Sequence, residues 1–147
     1  MVGSDTQRTA KWLYGVLSGD STLSSLGLAG VYHGSAPVEA SYPFARITME
    51  TSLSSGGNGG LHIFSVMQWR IIVIDATWGT RVGRSFEGLR PLVERIIALL
   101  DGADDTTSEL AIASCDRVEE IQRDYIENGI SYREAGMIWR IIARSAS

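Results

Sequence analysis

The chain has little of what builds the common catalytic and metal centres. A single cysteine, Cys115, excludes an intramolecular disulfide and any cysteine-rich zinc site. The two histidines, His33 and His62, form no His-x-x-x-His pair, and neither has a carboxylate in ligand spacing. No Gly-x-Ser-x-Gly elbow occurs, although a serine–histidine site assembled from distant positions stays open at this level. No apolar run approaches the length that spans a bilayer; the longest lies near Ile71 to Ile74. The first residues hold no apolar stretch of the signal-peptide kind, so a soluble, cytoplasmically made protein with no membrane partner is expected. Basic residues are outnumbered, thirteen to seventeen, and the formal charge of -4 argues against a dedicated nucleic-acid binder.

What remains is an ordinary globular composition. The length of 147 residues fits one domain, with 44% hydrophobic and 20% charged residues. A chain of this size buries enough surface to hold a core without staples.

Periodicity then gives the elements. Ala10, Leu13, Val16 and Leu17 recur at helical spacing over Gln7 to Leu17, with Trp12 beside the stripe and Ser4 and Gln7 spaced as a capping box. A short helix or turn is expected from Ser21 to Leu26. Val31 to His33 reads as a short strand, Gly34 to Tyr42 as a loop, and Phe44 to Glu50 as an alternating strand. Thr51 to Gly60, rich in glycine and serine, is expected to be a flexible loop or hairpin tip. It lacks the Lys and the following helix that a phosphate loop needs.

Leu61 to Thr77 carries the strongest strand signal. Its run Ile71 to Ile74 is apolar on both faces, as in a strand covered on both sides or packed on a neighbouring subunit. A helix from Thr80 to Leu100 follows from the stripe Val82, Phe86, Leu89, Val93, Ile96 and Leu100. Pro91 inside it must kink the helix or mark the start of its main part. Leu110 to Tyr125 and Ile130 to Ala143 read as two strands joined by Asn128-Gly129, the strongest short-range hairpin signal in the chain. The expected fold is a single α+β domain, with a mostly antiparallel sheet of about five strands and two to three helices packed on it.

Cys115 in the run Ala111 to Cys115 reads as a small buried residue rather than a nucleophile. Glu119, Glu120, Asp124 and Glu127, interleaved with Arg117 and Arg123, read as a solvated strand face with cross-strand pairing. The four tryptophans (Trp12, Trp69, Trp78 and Trp139) fit core packing or a subunit interface better than base stacking, because basic residues are sparse between them. No catalytic constellation, metal site or cofactor site emerges.

The ordered phrases of the chain nevertheless form a pattern. An early helix ends in Leu13-Tyr14-Gly15-Val16-Leu17-Ser18-Gly19-Asp20, and Val31-Tyr32 leads to Tyr42-Pro43-Phe44-Ala45-Arg46-Ile47. A strand ends in Ile74-Asp75-Ala76-Thr77 before the long helix. Tyr125, the Asn-Gly turn, Ile130-Ser131-Tyr132-Arg133 and Met137-Ile138-Trp139-Arg140-Ile141 close the chain. From about Thr9 to Ala143 this order resembles the tail-completion, or tail-terminator, proteins of long-tailed bacteriophages and of related prophage and gene-transfer-agent clusters. The polar segment between Leu100 and Leu110, and Pro91, depart from it.

The resemblance implies a non-enzymatic virion protein with no cofactor. It implies a homo-hexameric ring on the head-proximal end of the tail tube, contacting the tube protein and the head-to-tail connector. DNA would only pass through its hole. Under that expectation Trp69, Ile71, Val73 and Trp78 are candidate subunit-interface residues. Ser54, Ser55, Gly56, Gly57, Asn58, Gly59 and Gly60 form a candidate partner-contact loop, expected to be mobile in the free subunit. Asp101, Asp104, Asp105 and Glu109 are candidate acidic residues of the lumen. The competing readings are a head-closure or connector protein of the virion neck, and a small cytoplasmic α+β enzyme or ligand-binding module.

Overall fold

Apolar side chains on both sides of Ile71 to Ile74 require cover on both faces of the strand that holds them. The computed structural model, which describes residues 5–56 and 62–145, supplies that cover from within the chain. Strand β1 (Gly30–His33) runs parallel to β2 (Phe44–Gly56), which pairs antiparallel with β3 (His62–Thr77). Beyond the helical segment, β4 (Leu110–Glu127) and β5 (Ile130–Ser145) form the second hairpin. The sheet order is β1-β2-β3-β5-β4, so β3 is central. Helices α1 (Asp5–Ser18), α2 (Ser21–Ser25) and α3 (Phe86–Leu100) complete this single-domain α+β fold.

Alternation divides β3 cleanly. Met67, Trp69, Ile71 and Val73 point into the main core, where Leu13 and Leu17 of α1 and Leu89, Leu92, Ile96 and Leu100 of α3 meet Trp139 and Ile141 of β5. Ile72 and Ile74 point the other way and join Phe44 in a second cluster. That cluster is covered by Tyr32, Tyr42 and Tyr132 and by Ala36 and Ala40 of the connection between β1 and β2. Burying each isoleucine contributes about 1.5–3 kcal/mol, which favours this register over a one-residue slip.

The helix termini follow local chemistry. The Asp5 carboxylate, at the first residue of α1, accepts the Ser65 hydroxyl at 2.7 Å and the Ser145 amide at 2.6 Å, tying the helix start to β3 and β5. Ser4 of the expected capping box lies outside the described residues. Asp20 caps α2 through the Leu23 amide and grips Arg95 of α3 with both oxygens, at 2.8 and 3.0 Å. The Arg95 guanidinium holds this carboxyl below its ordinary range.

Two sequence expectations are corrected. The long helix starts at Phe86, not Thr80, because Ser85 caps it by accepting the Gly88 amide at 3.1 Å. The residues before it form a turn in which Trp78 and Arg81 exchange backbone hydrogen bonds. Pro91 then falls in the second turn, where its missing N–H leaves the Glu87 carbonyl unpaired within the helix. The glycine-serine segment is likewise not all loop: 51–56 extend β2 and pair with β3, and only 57–60 lie outside the described residues. The mobility expected for 57–60 thus concerns residues outside the described ones.

Asn128 and Gly129 have φ of +51° and +77°, as the type I′ turn requires. Gly136 meets a different demand. A Cβ there would lie 2.1 Å from the Ile71 carbonyl oxygen and 2.7 Å from the Ile72 Cα, so β3 and β5 approach at a spot where only hydrogen fits. Gly136→Ala is expected to destabilise the fold by about 2 kcal/mol, a fall of roughly 4–8 °C in Tm by thermal unfolding.

Candidate functional site: the open face and its aromatic end

The helices cover one face of the sheet and leave the other free. On the free face, near the β4–β5 turn, lies a cleft of about 470 Å³ between the 35–38 segment and the hairpin. Its walls include Tyr42, Phe44, Trp78, Tyr125 and Tyr132. Tyr42 packs on Phe44 at 5.2 Å and on Trp78 at 5.6 Å between ring centroids, and Tyr125 stacks on Tyr132 at 5.2 Å. The Arg81 guanidinium lies over both the Tyr42 and Trp78 rings, 5.6 and 5.3 Å from their centroids. Arg81 is itself held by the buried Asp75 at 2.8 Å, and Asp75 also accepts the Arg84 amide. The approach to α3 is thus fixed by one buried carboxylate.

Next to the cleft, Glu134 is buried in the sheet's free face. Arg123 lies 3.1 Å away, Arg46 4.0 Å, and the Tyr125 hydroxyl donates to it at 3.1 Å. Burial and the adjacent Glu134 charge push the Tyr125 hydroxyl above its ordinary pKa. Burial and Tyr132 do the same to Tyr42. A carboxylate closed in by two guanidiniums and a phenol anchors neighbouring strands, and its partners Arg46 and Tyr125 line the adjoining cleft together with Glu127.

The residues singled out from sequence are distributed differently from expectation. Trp69, Ile71 and Val73 are at most 1% exposed beneath the subunit's own helices, so they have no surface to offer a second subunit. Trp78, 42% exposed, is the member of that set at the surface. Val38, Val82 and Ile126 are exposed at the same end of the sheet, beyond the close of β3 and beside the β4–β5 turn. This apolar end was not legible beforehand, since each residue is isolated in the sequence.

The acidic segment is not a bare loop. Asp101 pairs with Arg117 at 3.3 Å, Asp105 accepts the Trp12 indole N–H at 3.2 Å, and Glu109 pairs with Lys11 at 3.3 Å. Its backbone also seals the outer edge of β4: Ile112 donates to Asp105, and Gly102 donates to the Cys115 carbonyl. Asp104 is exposed.

Cys115 is buried, and burial with the nearby Asp116 and Asp101 raises its thiol to about 12. His33 is exposed and tilted against Trp69 at 5.9 Å, and the backbone of His62 lies at the start of β3. Among the described residues, no group of three His, Cys, Asp or Glu is placed to hold a metal ion. No described helix is long and apolar enough to cross a membrane.

Two outcomes follow from these environments. Iodoacetamide at pH 8 should leave Cys115 unmodified in the native protein and label it fully in denaturant, as read by mass spectrometry; native labelling would contradict the buried thiol. Glu134→Gln removes the charge that disfavours the Tyr125 phenolate. The Tyr125 transition in an ultraviolet difference titration should therefore move down, and stability should fall by about 1 kcal/mol as two half-exposed guanidiniums lose their partner.

No protein-family model matches the chain, and no curated protein matches it. Among solved structures, it superposes on a chain of the virion of a native gene transfer agent particle with a TM-score of 0.65 and 18% sequence identity. The superposition takes in 90% of this chain and 92% of the other, so the two share one fold over nearly their whole lengths.

Proposed function

We propose that this chain is a structural virion protein of the tail-completion kind, assembling as a six-membered ring on the head-proximal end of a tail tube. There it ends tube polymerisation and offers a docking surface to the head-to-tail connector. The observation that carries this reading is the end-to-end fold likeness to a chain from a gene transfer agent virion.

The surface chemistry is compatible with such a ring. Identical subunits related by a fixed rotation meet through two different patches, and the ring closes when the rotations sum to a full turn. Trp78 and Val38, which line one cleft, and Val82 and Ile126 at the same end are apolar residues that the subunit itself does not cover. An exposed tryptophan beside apolar neighbours is the composition that concentrates binding energy at interfaces. The Ser54–Gly60 segment is assigned to the tail partner under this reading.

Native mass spectrometry and negative-stain imaging test the ring. Six copies of 16.0 kDa give a particle of about 96 kDa with a central hole. Val82→Asp places a charge at a residue 84% exposed in the subunit, so it should leave the fold intact while shifting the particle towards monomer. Trp78→Ala should do the same, at a cost of about 2 kcal/mol or more per contact. A chain that stays monomeric at every concentration, alone and with purified tails, rejects the ring.

A further inference from the structure

The helix-free face of the sheet carries a charge balance unlike that of the rest of the molecule. Strand alternation places Arg46, Arg70, Arg123, Arg140 and Arg144 on it. The same register places Asp116, Glu119, Glu127 and Glu134 there, and Glu50 at the β2 bulge reaches it by pairing with Arg70. Five bases face five acids, and four of the five guanidiniums are already engaged. Arg46 and Arg123 lie on Glu134, Arg70 on Glu50, and Arg140 is 3.7 Å from Asp116. Thirteen bases and seventeen acids in the chain leave eight and twelve for the helices, loops and edges. The strand residues of this face therefore carry no net charge, and the acidic excess lies on the helices, loops and edges.

We propose that this face lines the hole of the ring and acts as a charge-neutral wall for duplex DNA; the proposal rests on the ring reading above. A subunit interface is a poor use for it, because interface centres are depleted in charged residues. Turning the helix side inward would set the acidic excess of every copy around the phosphates. Turning the sheet inward sets a net charge of zero there. Each guanidinium held by a carboxylate has little left to offer a phosphate, so DNA slides past without the counterion release that makes binding tight. The same face with unpaired arginines would be a trap.

Two double variants, with equal charge change on opposite sides, test the assignment. Glu50→Gln with Asp116→Asn frees Arg70 and Arg140 on the sheet face. Glu87→Gln with Asp101→Asn frees Arg90 and Arg117 on the helix side. All four residues are at least partly exposed, and circular dichroism checks that both proteins fold as wild type. Each is incubated with linear duplex DNA at 50 and 200 mM salt, and the ring is confirmed by native mass. The sheet-face variant should retain DNA, with an affinity falling about tenfold or more across that salt range for two freed guanidiniums. Wild type and the helix-side variant should not retain it. Equal retention by both variants, or none by the sheet-face variant, overturns the neutral wall while the ring reading stands. A monomeric wild type overturns both.

Discussion

Two-sided burial of the central strand is the constraint from which the rest of the fold follows. With Trp69, Ile71 and Val73 on one side and Ile72 and Ile74 on the other, β3 has no face left for water. Because side chains alternate with period two, a slip of one residue would exchange the two sets and open both clusters at once. The helical layer answers one side. On the other, where no helix lies, the connection between β1 and β2 and a group of tyrosines do the covering. Gly136 completes the arrangement by letting β5 come close enough to β3 for Trp139 to stand beside Trp69.

Cover by loop and aromatic rings reaches only part of the free face. Beyond the second cluster the sheet turns to paired charges: Glu134 with two arginines, then Arg70 with Glu50 and Arg140 with Asp116. The exposed pairs among them, Arg70 with Glu50 and Arg140 with Asp116, contribute little stability each. The effect of all the pairs is to neutralise a surface that would otherwise carry five free guanidiniums. The subunit thus presents three chemically distinct regions: an acidic helix side, a neutral sheet face and an apolar end around Trp78.

The buried carboxylates organise the chain in similar fashion. Asp5 joins the start of α1 to the last residues of β5, Asp75 fixes the turn that leads into α3, and Glu134 locks β5 to β4. Asp5 and Glu134 take partners from distant segments, and Asp75 takes them from the turn that follows it. Each is the sort of group whose loss leaves unpaired donors in a low-dielectric setting, which is why acids so seldom appear buried without such partners.

Much of the architecture was already decided by local chemistry. The alternation in β3, the Asn128-Gly129 turn and the stripe of α1 depend on residues that are neighbours along the chain, and each appeared where periodicity placed it, as did the part of the α3 stripe from Phe86 onward. What sequence left open was decided by contacts between distant segments. Ile71 to Ile74 announced that both faces needed cover, yet whether a second subunit or the chain's own 34–43 segment supplied it depended on how that segment folds back. For the same reason Trp69, Ile71 and Val73 belong to the core and Trp78 to the surface, although all four read alike as apolar residues of one stretch. The acids from Asp101 to Glu109 seemed a free loop until the packing of α1 and the edge of β4 gave three of them partners. The neutral face was invisible for a further reason: its pairs join residues from four strands, and only the sheet order sets them side by side.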